Sequence, residues 1–227
     1  MGGDILSEIR EGGILYIILL VAICMHEFGH AYVADKLGDR LPRLQGRVSL
    51  NPLAHMDLLG TVILPILTIA LSMGTGFPLV FGWGKPVQVL LDNPATRMKV
   101  DLLSTAGGVG MNLVVAAISA LFMGLILLFG RGGLAEDFAQ VALLSVQINC
   151  VLFVINMIPV PPLDGSHFLK YAVGMSDALY ARISQYGIII LLVLINVPAF
   201  AHAIHFAVSA LSGAFLLITR AALAFGG

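Results

Sequence analysis

Long apolar runs, separated by short polar pieces, set the pattern of this chain. The first covers about residues 14–34, if the polar cluster at 26–30 is counted as helix. A second covers 58–77 and contains Pro65, where a proline would kink a helix. Further runs cover 100–129, 138–158 (stopped by PVPP), 183–197 and 199–219, with Pro198 dividing the last two. About 20 apolar residues is the length an α-helix needs to cross the hydrocarbon core of a bilayer. The pattern therefore predicts an all-α polytopic membrane protein of about six transmembrane helices. No internal repeat or low-complexity linker interrupts it, so residues 1–227 are expected to form a single domain.

The polar pieces are short. RLQGRVSLNP (43–52) and FGWGKPVQVLLDNP (81–94) carry β-prone residues bounded by proline and asparagine. Both predict short strand segments, the second around Val87 to Leu90. Basic residues gather at one set of ends: Lys36, Arg40, Arg43 and Arg47 after the first run, Arg97 and Lys99 before the third, Lys170 and Arg182 between the fourth and fifth, and Arg220 at the end of the sixth. Arg10 and Arg131 fall at the opposite ends. By the positive-inside rule the first group is cytoplasmic and the N-terminus lies outside. If the second run crosses outward, residues 78–96 must return to the cytoplasmic side before the third run begins. That stretch is too rich in Gly and Pro for a lipid-facing helix, and non-helical backbone at membrane depth needs protein around it. FPLVFGWGKPVQV is therefore expected to fold back into the protein, partly extended; the other possibility is that the second run is itself re-entrant.

Composition agrees with this pattern and removes some function classes. The 227 residues are 59% hydrophobic and 11% charged, against about 25% charged in soluble domains. A net charge of −1 offers no basic surface for nucleic acid. Cys24 and Cys150 both lie in apolar runs and read as small core residues rather than a disulfide. The acidic start MGGDILSEIREGG makes a poor secretory signal, so the first span is expected to be retained.

Against that apolar background, CMHEFGHAYVADKLGD (24–39) stands out. His26 and His30, spaced i, i+4, share one helix face. With Glu27 they form H-E-x-x-H: two neutral imidazoles for Zn²⁺ and a carboxylate to take a proton from the water the metal activates. Ionisable groups at membrane depth are costly and tend to be functional. A catalytic zinc needs a third protein ligand and an open position. The candidate is Asp164 in NMIPVPPLDGSH, where prolines end the helix and Gly165 lets the backbone bend. The loop charges put Asp164 and His30 at the same membrane face. Asp164 has a competing role as the N-cap of the next helix, and His167 is the substitute third ligand. Two other classes use the same residues: a metal-ion or proton transporter, and a scaffold with a structural zinc for which His167 would be the fourth ligand. His202 and His205, i, i+3 in the last run, read as interface or packing residues before a second metal site, and Trp83 reads as packing.

Together, HEFGHAYVADKLGD, GRVSLNPLAHMDLLGT, FGWGKPVQV and NMIPVPPLDGSH, spread in order over residues 26–167, resemble the site-2 protease family of intramembrane zinc metalloproteases, in its compact group without PDZ or CBS domains. The resemblance implies one Zn²⁺ per chain on His26, His30 and Asp164, with Glu27 as general base. It implies that Asn156 faces the site and helps hold substrate or oxyanion, and it draws in His55 and Asp57, which otherwise cap the second span. One departure is in the third run, where the family often has Gly-Pro-x-x-Asn and this chain has Gly108, Val109 and Asn112 without the proline. The glycines still permit close helix contact. The expected activity is hydrolysis of peptide bonds in transmembrane protein substrates near the cytoplasmic face, with an edge segment around Lys85 to Leu90 holding the unwound substrate by β-addition. The expected partners are membrane lipid and those substrates, and the expected location is the cell membrane of a prokaryote, multi-pass.

Overall fold

The computed structural model describes residues 5–73, 80–90 and 93–226. Four helices among them are long and apolar enough to cross a membrane: α1 (Ile5–Lys36), α4 (Arg97–Phe129), α5 (Gly133–Asn156) and α9 (Pro198–Gly226). They cover the first, third, fourth and sixth predicted runs. α1 and α4, at 32 and 33 residues, are longer than the roughly 20 residues a crossing needs, and their ends carry charges: Glu8, Arg10 and Glu11 at one end of α1, Lys36 at the other.

The other two runs do not form simple spans, and six is not the count observed. The second becomes a π-helical turn, Leu58–Ile63, running into α3, Leu64–Ser72. Pro65 sits in the first turn of α3, where its missing N–H costs little, so the expected mid-helix kink is instead a change of helix type. The combined Leu58–Ser72 helix is about 22 Å long, short of the roughly 30 Å hydrocarbon thickness. Residues 74–79, which the second run and the folded-back segment were expected to include, lie outside the described residues. The fifth run is broken: α7 (Asp177–Ser184) and α8 (Gly187–Ile195) meet at a 57° bend, so the pair is at most one broken span. Gly187 stands at that bend because a Cβ there would strike the Pro161 carbonyl.

α4 is the central helix, packed on α1, α5 and α9. Its small residues make the close approach possible. Ala116 and Ala120 are buried with Val146 and Cys150 of α5 against Val208, Leu211, Phe215 and Ile218 of α9. Where α1 and α4 meet, a Cβ on Gly29 would run into the Gly107 carbonyl. Small residues at such crossings are what helix association in lipid favours, since burying apolar surface gains nothing there. Large apolar side chains such as Ile118, Phe122, Ile188 and Phe206 point outward, as a lipid-facing surface requires. Cys24 and Cys150 are both buried and free.

No β-strand occurs among the described residues, which corrects the two predicted strand segments. Residues 43–52 spend their backbone groups locally: Arg43 and Leu44 end the short α2 (Leu41–Leu44). Gly46 then turns the chain at φ +69°, and Arg47 N donates to Pro42 O at 2.8 Å. Residues 80–90 are extended, but their partners are turns and side chains rather than a second strand. Phe81 N donates to Thr68 Oγ1 at 3.3 Å, Trp83 N to Gly60 O at 3.0 Å and Lys85 N to His55 O at 2.8 Å. The segment thus folds back against α1 and the start of the second apolar run.

Candidate metal centre

His26 and His30 lie in the last third of α1, one turn apart. A Pro-rich turn after α5 brings Asp164 to the same end of the bundle, immediately before α6 (Gly165–Ala172). His26 Nε2 and His30 Nε2 are 3.0 Å apart. Asp164 Oδ2 is 3.2 Å from the first and 3.3 Å from the second. Among the described residues this is the one group of three His, Cys, Asp or Glu side chains close enough to share an ion. The competing cap role for Asp164 is not taken up: its side chain makes no capping hydrogen bond to α6.

Hydrogen bonds to the far side of each ring fix what the near side offers. His30 Nδ1 is 2.9 Å from the Ser104 carbonyl, which can only accept, so the proton is on Nδ1. His26 Nδ1 is 2.8 Å from Asn112 Oδ1. The amide of Asn112 is oriented by its other end, where Nδ2 donates to Asn149 Oδ1 at 3.1 Å and to Ala22 O at 3.4 Å. Both Nε2 atoms therefore present lone pairs. Asp164 Oδ2 is buried with no hydrogen-bond donor among the described residues. Three electron-rich atoms about 3 Å apart with no proton between them repel one another unless a cation sits among them. Tetrahedral zinc with bonds of about 2.0–2.1 Å puts its ligand atoms about 3.3 Å apart, so the residues present fit that ion.

Glu27 is beside this group but not in it. Its Oε2 accepts from Val87 N at 3.2 Å and lies 3.7 Å from Arg47 Nη2. The Arg47 side chain is buried and also donates to the Ala54 and Lys85 carbonyls. Gly84 packs so closely that a Cβ there would come within 3.1 Å of Glu27 Oε1. The extended segment and the carboxylate are thus locked together.

The other expected residues fall as follows. Asn156 is the last residue of α5, half-buried, with no side-chain hydrogen bond to another described residue. His55 is buried and donates Nε2–H to Ser49 O at 2.7 Å; burial lowers its pKa, and it braces the turn on which Lys85 rests. Asp57 caps the π-helical turn, accepting from Gly60 N at 2.7 Å. His167 is turned away from the ligand group, with Nδ1 2.9 Å from Asp101 Oδ1, so it is neither the substitute third nor a fourth ligand in this arrangement. Trp83 packs on Gly60 and edge-on to Phe81. His202 and His205 are exposed. Residues the sequence reading passed over are Asn149, Ser104, Asp101 and Tyr171. Asn149 and Asp101 carried a signal, since an amide and a carboxylate inside apolar runs need partners. Tyr171 hydroxyl donates to Asp101 Oδ2 at 2.8 Å, and burial together with that bond pushes its pKa up to about 12.

The fold and this side-chain set define a helical membrane protein with a His/His/Asp site and an adjacent glutamate, the class of zinc metalloproteases. The chain is 36% identical over 191 residues to a Bacillus subtilis protein named "Putative zinc metalloprotease YwhC", covering 81% of this chain and 80% of that one. It is 30% identical over 203 residues to Rip2 of Mycolicibacterium smegmatis, a protein with the same zinc metalloprotease designation, covering 88% and 74%. To Rip2 of Mycobacterium tuberculosis it is 27% identical over 202 residues, covering 87% and 73%. No protein-family model matches the chain, and no solved structure does. The chain belongs to the site-2 protease family of zinc metalloproteases.

Proposed function

We propose that this protein is an intramembrane endopeptidase that cuts transmembrane protein substrates near the cytoplasmic face, with zinc held by His26, His30 and Asp164. The observation that carries this reading is the convergence of His26 Nε2, His30 Nε2 and Asp164 Oδ2 within 3.0–3.3 Å, with Glu27 adjacent but outside the triangle. Zinc bound there supplies Lewis acidity, polarising a carbonyl and making water more acidic. Asn112 and the Ser104 carbonyl hold the imidazoles in the tautomer a metal needs. Glu27 takes a proton from the attacking water as the water oxygen bonds to the scissile carbonyl carbon. As the C–N bond breaks, Glu27 returns that proton to the departing amine nitrogen. Asn156, whose side chain makes no hydrogen bond among the described residues, is the proposed donor to the substrate or its developing oxyanion.

The extended segment supports the substrate-clamp role. Phe81, Trp83, Lys85 and Val87 all turn their N–H groups into the protein. Gly82, Gly84 and Gln88, on the alternate side, have no backbone partner among the described residues. That edge, open from Gly82 to Gln88 and closed at Leu90 by its bond to Asp39, suits an unwound substrate pairing by β-addition, while the opposite edge holds Glu27 through Val87 N. The orientation with the N-terminus outside, from the basic residues at the site end, puts cleavage on the cytoplasmic side.

The test uses purified full chain in detergent with a transmembrane peptide. Cleavage should stop with a zinc chelator and return on adding zinc, and His26→Ala should contain no stoichiometric zinc. Metal uptake into vesicles without any cleavage would instead select the transporter reading.

A further inference from the structure

Four buried positions on α4, Asp101, Ser104, Gly108 and Asn112, are spaced three, four and four apart and so share one face. Three of them serve the histidines. Asn112 orients His26, the Ser104 carbonyl orients His30, and Gly108 leaves room for the His30 ring, which a Cβ would strike. The fourth, Asp101, reaches α6. One of its oxygens is 2.9 Å from His167 Nδ1 and the other accepts from Tyr171. His167 and Tyr171 are one turn apart on the same face of α6, so a single carboxylate holds that helix by the Tyr171 hydrogen bond and by a close contact at His167 Nδ1.

The histidine rings have hydrogen bonds of their own to aim them, and Asp164 has none among the described residues. Its Oδ2 has no donor, and its side chain does not cap α6. Ligating carboxylates are normally hydrogen-bonded in turn. Here the direction of the carboxylate is set by where its backbone sits, and that backbone is the start of α6. We propose that Asp101, acting through His167 and Tyr171, is the positioning residue for Asp164, so that one face of α4 sets the geometry of all three zinc ligands. This rests on the metal reading above.

The experiment measures zinc affinity by competition with a chromophoric chelator, and the visible spectrum of the Co²⁺-loaded protein, on the full chain in detergent. Asp101→Ala should weaken zinc binding about 10–100-fold, and Tyr171→Phe should weaken it less, in the same direction. Both Co²⁺ spectra should shift toward that of Asp164→Ala, because a ligand has been misaimed. Wild-type affinity and spectrum in Tyr171→Phe and Asp101→Ala would overturn the proposal. So would lower thermal stability with an unchanged spectrum in the loaded protein, the signature of a purely structural role; Tyr171→Phe alone decides if Asp101→Ala does not fold. Equal zinc uptake by wild type and His26→Ala would instead remove the metal reading itself.

Discussion

The two halves of α4 use the same helical spacing for opposite purposes. From Asp101 to Asn112 the buried face is largely polar, and Asp101, Ser104 and Asn112 each have partners on other elements. From Ala116 to Gly124 the buried face is alanine, methionine and glycine, packed on α5 and α9. The first half fixes directions, since each hydrogen bond specifies where a donor and an acceptor must lie. The second half fixes distance, since small side chains set how near two helices come. A catalytic constellation needs the first kind of constraint and a membrane bundle needs the second, and this helix supplies both in succession.

The contrast predicts different failures in the two halves. The largest effect belongs to the carboxylate beside the ligands that the polar half orients: Glu27→Gln should lower peptide cleavage by about 10²–10⁴-fold while the zinc content, read by metal analysis, stays at wild type. Cleavage retained in that variant would remove Glu27 as the base. Next, Asn112→Ala frees the His26 ring and should weaken zinc binding by about 10–100-fold, measured by chelator competition. Gly108→Ala, which puts a methyl into the His30 ring, should also lose zinc, whereas Gly110→Ala, with open space at its Cβ, should bind zinc as wild type does. In the apolar half, Ala120→Leu should cost about 1–3 kcal/mol of stability through overpacking, with the zinc affinity of the folded protein unchanged; a change in affinity would show that the halves are not separable. The smallest effect is Thr219→Val, which removes the 2.7 Å bond to the Ala120 carbonyl and should cost about 0.6 kcal/mol in a denaturation series.

Much of the site could be read along the chain because its chemistry is local. His26, Glu27 and His30 lie within one and a half helical turns, so their common face follows from helix geometry alone. Asp164 stood out because prolines end α5 just before it, and a carboxylate there is either a cap or a ligand. The span count was not legible in the same way. Run length counts apolar residues, but Leu58–Ser72 and the α7–α8 pair show that an apolar run can be too short or too bent to cross. Nor were the strands: a β-prone segment becomes a strand only if another strand pairs with it, and residues 80–90 found turns, Glu27 and Asp39 instead.

The sequence by itself determined that this is a membrane protein, that two imidazoles share a helix face at membrane depth, and which acidic residues were candidates to join them. These follow from hydropathy and the 3.6-residue period, which need no knowledge of distant contacts. Only the tertiary structure decided that Asp164 faces the rings rather than capping α6, that His167 belongs to Asp101, and that Asn149 orients Asn112. Each of those depends on which helix faces lie within about 3 Å of one another, and spacing along the chain does not give that.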